Sequence, residues 1–142
     1  MANSFSRSGS LAFLLGMILA VAGLLHLMEP AAFMPLMPPW MPAPFILIYA
    51  TGVLELFAAM GLRQKALRRT TALWVAVYFL AIWPVHFYAA VYSIPIFGNG
   101  SPAFLWGRVG FQVVFIAWAL WIAVLAKREG LGPSSGNPSA TL

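Results

Sequence analysis

The chain has 142 residues, of which 62% are hydrophobic and 8% charged, and it contains no cysteine. Soluble globular domains carry roughly a quarter charged residues, so this composition excludes a soluble domain and indicates a membrane protein without disulfides or thiolate metal sites. The net charge of +5 suits the anionic surface of a lipid membrane, which we expect as a partner, and we expect no nucleic-acid partner.

Four long apolar blocks follow one another, each near the roughly 20 residues that a helix needs to cross a membrane. They cover residues 10–28, 45–62, 71–93 and 103–126. The first block is longer than the core of a cleavable signal peptide, so we treat it as a span. The predicted fold is an all-α membrane protein, a four-transmembrane-helix bundle over residues 10–126. It lies between a cytoplasmic N-terminus, 1–9, and a disordered cytoplasmic tail, 127–142.

Basic residues fix the expected orientation of these spans. Arg7 precedes the first block, "RQKALRR" (63–69) separates the second from the third, and Lys127 and Arg128 follow the fourth. The other two loops contain no Lys or Arg. The positive-inside rule therefore predicts cytoplasmic N and C termini, and we expect a multi-pass protein of the cell inner (plasma) membrane.

The loop after the first span, "EPAAFMPLMPPWMPAP" (29–44), holds six of the chain's 11 prolines. Such density argues against regular helix and favours a stiff, extended path. Its Trp and Met side chains either anchor the loop at the lipid interface or cap a cavity, and Pro39 and Trp40 are the candidates for a loop lid. Pro44 and Pro102 suit the first turns of the second and fourth helices.

Glu55 lies in the middle of the second span, about 16 Å from its outer end at 1.5 Å per residue. A charged side chain at that depth costs about 2.5–3.5 kcal/mol, so Glu55 must be protonated, paired or hydrated. Arg108, in the outer half of the fourth span, is the expected partner. This pair either fixes helix register as a buried ion pair or belongs to a functional pocket.

Further polar side chains occupy the same half of the membrane. His86 follows Pro84 in the third span, His26 ends the first, and Gln112 lies one turn beyond Arg108. The candidates for ligand binding or proton relay are Glu55, His86, Arg108, Gln112 and His26. We predict no metal site, because no ligand spacing supports one and an arginine nearby repels a cation.

Small residues surround Glu55 at helical spacing and recur along the first span. They are Thr51, Gly52, Ala58 and Ala59 around Glu55, and Gly16, Ala20 and Gly23 in the first span. Small residues on one face let membrane helices approach closely. We therefore predict that this face of each helix points into the bundle.

Several motifs together resemble the DoxX family, in particular the small DoxX-like membrane proteins. They are "GLLH", "PLMPPWMPAP", "GVLELFAAMGL", "RQKALRR", "PVHFYAA" and "RVGFQVVFIAWALW", spread over residues 23–121. The resemblance implies a four-helix integral membrane protein and, from some relatives, an association with thiosulfate:quinone oxidoreduction or oxidative-stress complexes. It picks out His26, Pro39, Gly52, Glu55, Pro84, Arg108 and Gln112. The chain departs from the family in having His86 where relatives often show Asn.

Three functions compete on this sequence. The leading hypothesis is an accessory component of a membrane redox system whose polar intramembrane pocket binds a quinone-like or amphipathic ligand, without catalysis of its own. The alternative is a scaffold or assembly partner for membrane redox complex subunits, with a structural Glu55–Arg108 pair. A proton-coupled transporter would require a homo-oligomer, because four spans without repeats make a thin transport path.

Overall fold

The computed structural model describes residues 6–130, and this part of the chain is helical, with no β-strand. The helices are α1 Arg7–Met28, α2 Pro30–Phe33, α3 Pro44–Arg63, α4 Arg68–Val91 and α5 Pro102–Gly130. Apart from the four-residue α2, each is long and apolar enough to span a membrane. The prediction of an all-α protein with four helices of membrane-spanning length and composition is therefore confirmed.

The helix ends differ from the predicted spans by a few residues. Pro44 and Pro102 begin α3 and α5, as predicted, because a proline at the start of a helix loses no hydrogen bond. Helix α5 continues past the predicted end of the fourth span to Gly130, so residues 127–130 are helical. The rest of the predicted tail, 131–142, and residues 1–5 lie outside the described residues.

We call the end of the bundle at which α1 begins and α5 ends the basic end, and the opposite end, which carries α2, the lid end. Helix α1 packs along α3, and α4 packs along α5, while the contacts between α3 and α4 and between α1 and α5 are sparser. The bundle thus consists of two tight helix pairs that meet less extensively.

Glycines set the distance between α1 and α3. A Cβ atom on Gly23 would lie 2.7 Å from the carbonyl oxygen of Gly52, and one on Gly52 would lie 2.9 Å from that of Gly23. Nearer the basic end, a Cβ on Gly16 would lie 3.4 Å from the Ala59 carbonyl oxygen. The predicted close approach of these small residues is confirmed, and it brings His26 of α1 beside Glu55 of α3.

The proline-rich loop contains helical turns, contrary to the prediction of an extended path. Helix α2 is followed by a 3₁₀ turn over Met34–Leu36. Pro30 and Pro35 each occupy a first-turn position, where the missing N–H group is not needed. The loop side chains of Phe33 and Leu36 are buried. Proline spacing, rather than proline density, decides the local structure.

Two clusters of buried apolar side chains fill the bundle, one toward each end. The cluster toward the basic end includes Leu15, Leu62 and Ile122, and the cluster toward the lid end includes Ile48 and Leu105. Large side chains on the outside are exposed and apolar, as lipid-facing positions require. The polar side chains around Glu55 lie between the two clusters.

A polar network at the basic end joins four helices. Arg68 is 8% exposed, and its Nε donates to the Leu62 carbonyl oxygen at 3.1 Å. One of its Nη atoms donates to Ser8 Oγ at 3.1 Å, while the Ser8 backbone N–H donates to Glu129 Oε1 at 3.1 Å. Arg68 therefore caps the carboxyl end of α3 instead of facing the membrane surface with the other basic residues.

Candidate functional site

Glu55 is 4% exposed and lies inside the bundle, as its depth predicts. The Tyr78 hydroxyl donates a hydrogen bond to Glu55 Oε1 at 2.6 Å. His26 Nδ1 lies 3.0 Å from Oε2, but this nitrogen makes its hydrogen bond with the Ala22 carbonyl oxygen, at 2.9 Å. Oε2 consequently has a basic side chain at close range but makes no hydrogen bond within residues 6–130.

Tyr78 is a site residue that the sequence analysis missed. It lies ten residues into α4 from the basic end, about 15 Å, and Glu55 lies eight residues from that end of α3, about 12 Å. The similar depths of Tyr78 and Glu55 are the signal in the sequence that could have paired them, because a buried tyrosine hydroxyl needs a hydrogen-bond partner. An apolar block that contains a tyrosine gives no other indication of a polar site.

Arg108 does not pair with Glu55. The contact of His26 with Glu55 is the one approach of a basic side chain to a carboxylate within 4.0 Å in residues 6–130, and it is an ion pair when the imidazole is protonated. The Arg108 guanidinium lies instead over the Phe104 ring, 6.0 Å from its centre. The predicted partner is displaced because α1 and α4 bring His26 and Tyr78 to the carboxylate. Arg108 faces the same cavity without a carboxylate of its own.

His86 and Gln112 form a second polar pair, between α4 and α5. Their Nε2 atoms share a hydrogen bond of 2.6 Å. Gln112 is 4% exposed, and its Oε1 has no partner in the part of the chain that the structure describes. Exchanging the amide oxygen and nitrogen would leave the amide nitrogen in that position instead, so one atom of the amide lacks a partner in either orientation.

One cavity of about 250 Å³ joins these groups. Every spanning helix contributes a polar side chain to its wall, and the rest of the lining is mainly aliphatic and aromatic. The polar side chains are His26, Thr51, Glu55, Tyr78, His86, Arg108 and Gln112. All five predicted site residues therefore face one space, arranged as two pairs with Arg108 beside them.

Aromatic rings roof this cavity at the lid end. Phe33 stacks on His26 with their ring centres 3.9 Å apart, and Phe97 meets Phe33 edge-on at 5.6 Å. Phe97 has a φ angle of 47°, a left-handed conformation that is strained for a bulky side chain. The turn between α4 and α5 therefore holds this ring in place against a conformational cost.

The predicted lid residues lie beside this roof. Trp40 is 71% exposed and meets Tyr88 edge-on at 5.4 Å. Among the described residues, the loop side chains that line the cavity are Phe33, Leu36, Met37 and Phe97, without Pro39 or Trp40. The proline-rich loop covers the cavity, but through residues 33–37.

The arrangement holds unused hydrogen-bonding groups of both kinds. Glu55 Oε2 and Gln112 Oε1 are buried without a hydrogen-bond partner, and the Arg108 guanidinium has no carboxylate within 4.0 Å in the described chain. Within residues 6–130, no three His, Asp or Glu side chains are grouped as a metal ion would require. The available chemistry is recognition of a small head group that has both a hydroxyl and an acceptor oxygen.

The family described as "Domain of unknown function (DUF8561)" matches residues 15–123, and the chain belongs to this family. No curated protein and no solved structure matches the chain. The resemblance to the DoxX family is therefore wrong. The motifs that suggested it combine apolar runs, small residues and basic turns, which membrane helix bundles share for physical reasons. The redox association came from that resemblance and loses its support with it.

Proposed function

We propose that this DUF8561 protein spans the inner (plasma) membrane with both termini in the cytoplasm and binds the polar head of an amphipathic ligand in the cavity beside Glu55. The observation that carries the proposal is the convergence of polar side chains from all four spanning helices on one cavity. Polar groups inside a membrane are costly and rare, and they commonly mark functional sites.

The size of the cavity restricts the ligand. Its volume of about 250 Å³ is below the roughly 300–1,000 Å³ typical of sites that enclose a drug-sized molecule. The cavity therefore holds a head group, and the remainder of the ligand extends into lipid.

The polar groups define the chemistry of the head. Glu55 Oε2 requires a donor such as a hydroxyl, and Arg108 offers donors to an acceptor oxygen. A quinone-like head in its reduced, hydroquinone form has both kinds of group, because a hydroxyl donates through its hydrogen and accepts through its oxygen. We propose this chemical class on the grounds of hydrogen bonding alone, with no catalytic step.

A second function, a scaffold without a ligand, is favoured by one observation. Glu55 contacts His26 of α1 and Tyr78 of α4, so a single carboxylate joins three helices. Such a group can fix helix register. In that case the cavity holds water, about eight molecules at roughly 30 Å³ each.

Extraction of bound molecules distinguishes these functions. The parent protein, Glu55→Gln and Glu29→Gln are purified in the same mild detergent, extracted with organic solvent, and assayed for lipid-soluble molecules by mass spectrometry. Glu29→Gln makes the same chemical change at an exposed position outside the cavity. We expect one amphipathic species near one per chain in the parent and in Glu29→Gln, and about tenfold less in Glu55→Gln, a loss of roughly 1.4 kcal/mol in binding.

Size-exclusion chromatography checks that all three proteins are folded. Equal ligand content in the three preparations would show that Glu55 takes no part in binding. Three folded preparations without any bound molecule would favour the scaffold function.

A further inference from the structure

A groove runs along the outside of the bundle between α3 and α4. Its volume is about 450 Å³, and it is apolar except at Glu55, Thr71 and Tyr78. The residues that line it are Leu54, Glu55, Phe57, Ala58, Thr71, Trp74, Val75, Val77 and Tyr78. Leu54 is 57% exposed and Trp74 is 67% exposed, so the rim of the groove faces the surrounding lipid.

Glu55 and Tyr78 line both this groove and the cavity. The hydrogen bond between the Tyr78 hydroxyl and Glu55 Oε1, 2.6 Å long, therefore lies at the junction of the two spaces. The carboxylate that faces the ligand head is also the innermost polar group of a lipid-facing groove.

We propose that the groove is the lateral entrance to the cavity and holds the apolar tail of the ligand, with the Tyr78–Glu55 hydrogen bond as its gate. This inference rests on the proposed function for the identity of the ligand. An amphipathic molecule reaches the protein from the bilayer, so its tail requires an apolar path that leads sideways out of the bundle.

Three features favour this path over entry at the lid end. The lid end is covered by the stacked rings of Phe33 and His26, with Phe97 against them. Helices α3 and α4 pack less extensively than the pairs α1/α3 and α4/α5. Gly61 and Thr71 approach closely at the basic end, which closes the foot of the groove and leaves its upper part open.

The rate at which Glu55 reacts with dicyclohexylcarbodiimide, a lipid-soluble reagent for carboxyl groups, tests the entrance without knowledge of the ligand. Peptide mass spectrometry of the protein, labelled in vesicles at mildly acidic pH, measures the rate. We expect Ala58→Trp, which fills the groove, to slow labelling at least about tenfold, the effect of adding roughly 1.4 kcal/mol to a barrier. Val77→Trp fills it from the opposite wall in case Ala58→Trp does not fold.

Two further variants complete the experiment. Ala117→Trp places the same bulk at an exposed position on α5 outside the groove, and it should label at the parent rate. Tyr78→Phe removes the gating hydrogen bond, and it should label faster than the parent.

Equal labelling rates in the parent and in a folded groove-filling variant would overturn the proposal. The proposal is also overturned if Glu55 is labelled only after denaturation in dodecyl sulfate. It is overturned as well if Glu55 is labelled only after dilution in detergent, because a second copy of the chain would then occupy the groove in the membrane. If the extraction experiment finds a ligand but the parent and the groove-filling variant are labelled at equal rates, the cavity is a binding site and the groove is not its entrance. Slowed labelling without extracted ligand would retain the route and remove the proposed function.

Discussion

Tyr78 determines how Glu55 is held inside the bundle. Its hydroxyl is the side-chain donor to Oε1, and the nearby His26 nitrogen makes its hydrogen bond with a backbone carbonyl. A carboxylate has only acceptor atoms when ionised, so the loss of one donor at a buried position is expensive. The tyrosine therefore stabilises the fold as well as the site.

Replacing Tyr78 with Phe should lower the free energy of unfolding by about 1–3 kcal/mol, because a buried oxygen of Glu55 loses its donor. Denaturation in detergent, followed by circular dichroism, measures the change. Tyr92→Phe removes a hydroxyl from a tyrosine that is 65% exposed at the lid end of α4, and it should change stability by less than about 0.5 kcal/mol. Similar effects of the two substitutions would contradict the role given to Tyr78.

At the scale of helices, the crossing of α1 and α3 sets the geometry of the site. The backbones of Gly23 and Gly52 touch at this crossing, and the Cβ of His26 lies near the place where a Gly52 Cβ would be. His26 reaches Glu55 because no side chain separates the two helices there. A larger residue at either glycine would push against backbone atoms, which cannot turn aside.

Gly23→Ala should destabilise the bundle by about 1–3 kcal/mol, since the added methyl group would lie 2.7 Å from the Gly52 carbonyl oxygen. It should also reduce ligand retention, because it moves His26 away from Glu55. The same denaturation and extraction assays measure both effects. The control is Gly110→Ala on α5, where an added methyl group meets no atom within 4 Å. If Gly23→Ala changes neither the stability nor the ligand content, the crossing of α1 and α3 tolerates a wider separation.

The spans and the depth of Glu55 follow from the sequence, because apolar length and the rise per residue of a helix depend only on position along the chain. The close glycine contacts follow for the same reason, since small residues at helical spacing share a face. Depth does not give rotation about the helix axis or the tilt of neighbouring helices. Arg108 was therefore placed near Glu55, although His26 and Tyr78 are the residues that reach the carboxylate.

Arg68 shows the same limit at the basic end. It belongs to a run of basic residues that suits a membrane surface, yet the start of α4 turns it inward onto the Leu62 carbonyl oxygen and Ser8. Its neighbour Arg69 is exposed. Only the packed ends of the helices distinguish a capping arginine from a surface arginine.

For the whole molecule, the two tight helix pairs meet around a polar space between two apolar clusters. The clusters fill the bundle on both sides of this space, which is where we propose that the ligand head binds. The orientation of this assembly determines which side of the membrane the lid faces. The basic residues at one end and their absence from the lid-end loops favour a lid that faces outward.

The chain contains no cysteine, so single-cysteine variants can report this orientation. Ser101→Cys, in the exposed turn before α5, should react with a membrane-impermeant maleimide on intact cells. Gln64→Cys, in the exposed turn between α3 and α4, should react only after the cells are permeabilised. The opposite pattern would place the basic end outside.

The most direct test of a ligand site beside Glu55 is a crystal structure of the protein purified in mild detergent with its native lipids. We expect density for a head group within hydrogen-bond distance of Glu55 Oε2 and the unpaired atom of the Gln112 amide, with a tail leaving between α3 and α4. A cavity that holds only ordered water, with Glu55 bridging α1 and α4, would contradict the ligand site and assign Glu55 a structural role.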